Sequence, residues 1–284
     1  MDIMKKIKEK IKSLLQLIKE KKYVPITKPI NNGNLLKDKI ALITGGNGGI
    51  GYAIAEAFLN NGCKVIITGT NEEKLITCYN QLNMKNTGNV KYIILNVLDI
   101  ESLPNKIEKA ANLFNEGKID ILVNSAGILG KRSFKDVTEK EYDLIMDVNT
   151  KGTFFMCQAM GKFMINKEIK GHILNISSSS ALRPAWTPYC MSKWAIRGFT
   201  IGLADLLSPY GIVVNAIAPG PTATAMLGKR EGDSIYRKNS PAKRFILPSE
   251  IANLAVFLAS DMGNMIIGDT VYMTAGSGIT TLHN

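Results

Sequence analysis

From Asp38 onward, short apolar runs alternate with longer amphipathic segments, and this alternation constrains the fold more than any other feature of the chain. Residues 40–44, 65–68, 90–95, 119–124, 172–177, 213–217 and 270–274 are rich in Ile, Val and Leu. They are too short for buried helices and read as strands. Between them, residues 52–60, 72–82, 103–114, 139–167, 189–207 and 251–260 carry apolar side chains at helical spacing. Strands that alternate with helices form a parallel sheet covered on both faces. The expected fold class is therefore α/β, a doubly wound parallel sheet forming a single domain over residues 35–284. Residues 1–34 form an extension of another kind.

In that extension Met4, Ile7, Ile11, Leu14 and Ile18 are spaced 3, 4, 3 and 4 apart, one stripe of a helix with lysines around it. The lysines interrupt any secretory core. Three readings stand: packing on the domain or on a second subunit, peripheral contact of residues 1–22 with an anionic membrane surface, or a mobile arm. Residues 24–36, with Pro25, Pro29, Asn31, Asn32 and Gly33, read as an extended linker.

The formal charge of +11 is concentrated at this end: residues 1–38 hold ten lysines and four acids. The modest surplus on the remainder reads as solvated surface, so nucleic acid is not an expected partner. The chain of 284 residues, 45% apolar, can bury a core without disulfides or a metal. Cys63, Cys78, Cys157 and Cys190 contain no CxxC pair, and His172 and His283 lie far from any Cys pair, so no metal site is expected. Scattered cysteines without an export signal fit a cytoplasmic protein. No uncharged apolar run reaches the length of a membrane-spanning helix. Residues 219–248 lack periodicity and read as a lid or a mobile segment.

After the first strand the chain reads Thr44-Gly45-Gly46-Asn47-Gly48-Gly49-Ile50-Gly51 and opens into a helix. Glycines allow a sharp turn and close approach of backbone to a pyrophosphate, and the helix N-terminus supplies free N–H groups for the anion. A glycine turn between strand and helix at the start of a βαβ series points to a dinucleotide. An acid at the end of the second strand would favour NAD, but here stand Gly69-Thr70-Asn71. Thr70 and Asn71 can donate to a 2′-phosphate, although no Arg is present to clamp it; NADP is favoured and NAD is the alternative.

Tyr189 and Lys193 are four residues apart, on one face of a helix. A nearby ammonium favours a phenolate, so such a Tyr can exchange a proton with a carbonyl or alcohol oxygen. The serines 177–180 offer a hydroxyl to orient that oxygen. Trp186 and the segment around Met226 and Leu227 are candidates to line a substrate pocket; Cys190 reads as a packing residue.

In sum, from about Leu35 to the C-terminus, the chain resembles the short-chain dehydrogenase/reductase family in its compact, single-domain, Rossmann-like branch. The resemblance implies a cofactor turn of Thr44, Gly45, Asn47, Gly49, Ile50 and Gly51. It implies further cofactor contacts at Asn124, Ala126 and Gly127 of an Asn-Ser-Ala-Gly element, and at Pro219, Gly220, Thr222 and Thr224. Asn96 and Val97 are carried over where the family commonly has an Asp beside adenine. Asn149, Ser178, Tyr189 and Lys193 match the catalytic set, with Tyr189 and Lys193 also touching cofactor. Ser178 lies eleven residues before the Tyr where the family usually has thirteen, so a loop shortened by two is expected, with Ser179 or Ser180 as alternatives. The implied activity is NAD(P)-dependent hydride transfer between nicotinamide and a carbonyl or secondary alcohol, without a metal, in a homodimer or homotetramer. A 3-oxoacyl-carrier-protein is one specific substrate. The reading from another class is a nucleotide-sensing binding module whose N-terminal helix docks on a membrane or partner.

Overall fold

A computed structural model describes Met4, Lys8 and residues 33–130, 133–230 and 232–278. Seven strands form one sheet: β1 (Ile40–Thr44), β2 (Lys64–Gly69), β3 (Val90–Ile94), β4 (Ile121–Asn124), β5 (His172–Ile176), β6 (Val213–Pro219) and β7 (Thr270–Met273). Their order is β3-β2-β1-β4-β5-β6-β7, and every pairing is parallel. The principal helices are α1 (Gly49–Leu59), α2 (Glu72–Lys85), α3 (Leu103–Ala111), α4 (Glu139–Met146), α5 (Gly152–Asn166), α6 (Pro188–Leu207) and α7 (Pro248–Ala259).

The two-residue period of a strand divides the core. In β1, Ala41 and Ile43 face a cluster built with α1, α2 and α7, while Ile40 and Leu42 face one built with α3, α5 and α6. All five β1 residues are buried, as a strand covered on both faces requires. The order of the strands reverses between β1 and β4, where Thr44 pairs with Asn124. Crevices at the carboxyl ends of strands at such a reversal are where doubly wound sheets take ligands.

The predicted doubly wound sheet is the observed one, with differences in detail. Helix α1 begins at Gly49, earlier than its apolar pattern suggests, because packing against the glycine turn outweighs glycine's low helix propensity. The segment read as one helix over residues 139–167 is α4 and α5 joined by a π turn, Asp147–Lys151. Leu36, read as linker, is fully buried in the α1 face of the core, and its N–H donates to Asn61 O at 2.9 Å. Its Pro- and Asn-rich flank hid an apolar anchor. Of the N-terminal stripe, all but Met4 lies outside the described residues.

Candidate active site

A cavity of about 650 Å³ opens at the carboxyl ends of β1, β4, β5 and β6. Its floor is the glycine turn. Gly45 has φ +65°, and a β-carbon there would lie 2.9 Å from the backbone of Ala126, so turn and β4 loop meet in contact that only glycine permits. Thr44 fastens the same junction: its Oγ1 accepts from the N–H groups of Ser125 and Ala126, both at 3.2 Å. Gly48 is the N-cap of α1 and offers no side-chain cap, and the first turn carries no acid. The leading amides and positive pole of α1 are thus left for an anion. Close glycine packing and an uncapped helix end fit a dinucleotide pyrophosphate.

Lys193 is buried on α6, and its Nζ donates to Ile176 O at 2.8 Å. Nζ lies 5.6 Å from the centroid of the Tyr189 ring. Burial pushes its pKa down from 10.5 to about 8. The sign follows. Below pH 8 the ammonium is charged in both folded and unfolded chains, and folding bears the whole desolvation cost. Between pH 8 and 10.5 the unfolded chain binds the extra proton, so stability rises with pH. Thermal melts of cofactor-free protein are therefore expected to show the wild type gaining several degrees on Lys193→Met between pH 8 and 10. A gap that does not change with pH would refute this burial effect.

Ser178 Oγ accepts from Ser180 N at 3.1 Å at the head of a short 3₁₀ turn, while Ser177 Oγ is committed to Lys193 O at 3.0 Å. All four serines of residues 177–180 line the cavity. Asn149 sits in the π turn and is held on three sides: Oδ1 accepts from Ile128 N at 2.9 Å, and Nδ2 donates to Ile128 O and to Ser192 Oγ, both at 3.0 Å. π turns widen a helix locally and often mark functional positions.

Of the residues singled out in the sequence, Gly45, Asn47, Gly49, Ile50, Ala126, Gly127, Ser178, Tyr189, Lys193, Pro219, Gly220, Thr222 and Thr224 line this one cavity. So do Trp186, Met226 and Leu227, and Cys190 stands on the wall as well. Thr44, Gly51, Thr70, Asn71, Asn96, Val97, Asn124 and Asn149 are not among its lining residues. Asn124 lies beneath it, with Nδ2 donating to Asn175 Oδ1 at 3.0 Å in a buried chain that continues to Thr200. Asn71 caps α2 by accepting from Lys74 N at 2.8 Å, and Asn96 Oδ1 accepts from Leu98 N. Val97 packs against Gly152, where a β-carbon would lie 2.6 Å from its side chain.

Lining residues that sequence reasoning missed include Lys74, Arg237 and Phe245. The Lys74 ammonium lies 3.6 Å from where a β-carbon of Gly48 would stand. The available signal was its place three residues after the N-cap Asn71, which puts it in the first turn of α2. The other two fall in the aperiodic stretch, where no spacing argument applies.

A doubly wound sheet, a glycine turn at its reversal point and a Tyr/Lys pair at the same crevice define an oxidoreductase that uses a nicotinamide dinucleotide. The model of the short chain dehydrogenase family matches residues 39–234, and the chain belongs to that family. It is 35% identical over 245 residues to the 3-oxoacyl-[acyl-carrier-protein] reductase FabG of Aquifex aeolicus, covering 85% of this chain and 98% of that protein. It is 35% identical over 257 residues to the galactitol 2-dehydrogenase of Agrobacterium fabrum, again covering 85% and 98%. A solved 3-oxoacyl-[acyl-carrier protein] reductase from Brucella melitensis with bound NAD superimposes with a TM-score of 0.79 at 30% identity, over 92% of this chain and 99% of that one. Among the described residues no helix is long and apolar enough to cross a membrane, and no cluster of metal-ligating side chains is found.

Proposed function

We propose that this protein is a cytoplasmic, NADPH-preferring carbonyl reductase acting on 3-oxoacyl thioesters. The observation that carries the reading is the convergence of Tyr189, Lys193 and Ser178 on a cavity floored by the glycine turn. The bound dinucleotide supplies the hydride. Tyr189 gives the proton to the carbonyl oxygen, or takes it from an alcohol in reverse. Lys193 offsets the negative charge that the phenol acquires on giving up its proton, and binds the nicotinamide ribose. Ser178 donates to the substrate oxygen and orients it. Asn149 positions a water that links Lys193 to solvent.

The substrate class is supported by the Aquifex relative and by the wall at Trp186, Met226, Leu227 and Phe245, which suits an acyl chain. The galactitol dehydrogenase relative supports a second reading, oxidation of a polyol by the same residues. Purified protein is assayed with acetoacetyl-N-acetylcysteamine and NADPH, and with galactitol and NADP or NAD. Oxidation of NADPH by the thioester is the expected result. Turnover of the polyol alone would overturn the substrate class.

The preference for NADPH is supported by Lys74, which adds the cation missing beside Thr70 and Asn71. A charge-assisted hydrogen bond is worth about 1.5–3 kcal/mol, roughly a ten- to hundredfold effect. Lys74→Ala is expected to lower the NADPH/NADH ratio of kcat/KM by at least about tenfold on that basis. A wild type that prefers NADH tenfold would reverse the assignment.

We further propose a homo-oligomer assembled through α4, α5 and α6. These helices leave Leu144, Phe154 and Ile201 exposed at 49%, 43% and 55%, and Gly198 and Gly202 on α6 have open space beside them. Light scattering is expected to return a dimer or tetramer, and Ile201→Lys a smaller species; a monomeric wild type would refute it.

A further inference from the structure

The walls of the cavity carry an unbalanced charge. Among the described residues they include Lys74, Arg183, Lys193 and Arg237, and no Asp or Glu. Lys193 belongs to the catalytic pair and Lys74 to the adenosine end. Arg183 and Arg237 have no part in the chemistry proposed above.

Arg237 is set in a hairpin-like fold of the 219–248 segment. Its N–H donates to Lys243 O at 2.9 Å, next to the bridge between Tyr236 and Arg244. Its guanidinium rests 5.0 Å from the centroid of the Phe245 ring, which fixes its orientation. The neighbouring Arg244 is satisfied by Glu250 through two bonds of 2.7 and 2.6 Å. Arg237 has no such acid: among the described residues its guanidinium forms no ion pair, and its Nε is buried without a hydrogen-bond partner. A buried donor left without a partner is costly, and a bound ligand can remove that cost. Arg183 approaches through the C-terminal turn. Its Nε would lie 2.7 Å from a β-carbon on Gly278, and Ala275 O of that turn accepts from Ala242 N of the Arg237 segment.

We propose that Arg237, assisted by Arg183, forms an anion subsite for the substrate, and that the natural carbonyl compound bears an oxyanion group, phosphate or carboxylate, away from its reacting carbon. This rests on the carbonyl-reductase reading. A planar guanidinium held on an aromatic face suits bidentate recognition of either oxyanion.

Two matched pairs test the subsite and separate the two sources of the anion, with NADPH oxidation as readout. The phosphate pair is acetoacetyl-4′-phosphopantetheine against acetoacetyl-N-acetylcysteamine. The carboxylate pair is the monoethyl against the diethyl ester of 3-oxoadipate. In the wild type at least one anionic member is expected to exceed its neutral partner at least tenfold in kcat/KM. Arg237→Ala should bring that ratio close to one, and Arg237→Lys should retain part of it. Ratios near one in the wild type, with the neutral members turned over, overturn the subsite and leave the reductase reading standing. A rise in the KM for NADPH in Arg237→Ala, with the substrate ratios intact, overturns it in favour of a cofactor contact. Failure of all four compounds with both NADPH and NADH overturns the reductase reading and the subsite together.

Discussion

Replacing Tyr189 with phenylalanine is expected to lower kcat for carbonyl reduction by about a thousandfold, within the range that a positioned acid contributes. The ring and its place beside Lys193 Nζ are retained, so the change is confined to the phenolic hydroxyl. The KM for the dinucleotide should change by no more than a small factor. Single-turnover rates with preloaded NADPH read the chemical step directly; a loss below tenfold would exclude Tyr189 as the acid. Ser178→Ala should also lose orders of magnitude, whereas Ser180→Ala should not, because Ser180 reaches Ser178 Oγ through its backbone N–H. The reverse pattern would move the orienting hydroxyl to Ser180.

Gly45→Ala is expected to damage both stability and cofactor binding. An alanine held at φ +65° bears about 1–2 kcal/mol of strain. Its β-carbon would also meet the Ala126 backbone at 2.9 Å, with no flexible atom able to give way. At roughly 2–4 °C per kcal/mol for a chain of this size, melting should fall by several degrees, and the rise in Tm on adding dinucleotide should vanish. Gly48→Ala is the control for melting alone: its φ of −155° is extended, and only the Lys74 ammonium, at 3.6 Å, lies nearby. Equal melting and equal cofactor response in wild type and Gly45→Ala would show that the turn does not need its glycine.

The sheet was readable in the sequence because each strand is buried on both faces, and burial demands the Ile- and Val-rich runs that mark it. Thr44 and Asn124 bound two of these runs and end β1 and β4 where they were expected to. Helix starts were less legible. At Gly51 the close packing of α1 on the turn, and at Gly49 a positive φ beside the Thr224 side chain, demand residues that local propensity disfavours. Leu36 was lost among turn-forming neighbours, although its burial depends on α1, more than ten residues ahead. The site was legible where motif residues are contiguous, as at residues 45–50 and 189–193. Arg237 was not, since it reaches the cavity from a segment whose local pattern carries no trace of its tertiary neighbour, and the signal for Lys74 was only its place in the first turn of α2.

The π turn at Asp147–Lys151 has a consequence for how this sequence can vary in length. A π turn holds one residue more than an α turn, so removing a single residue there would restore ordinary winding while α4 and α5 keep their faces. Asn149 would lose its place opposite Ile128, whereas the Leu144 surface would stay where it is. A one-residue deletion in this stretch would therefore reach the wall of the crevice and spare the outer face of α4.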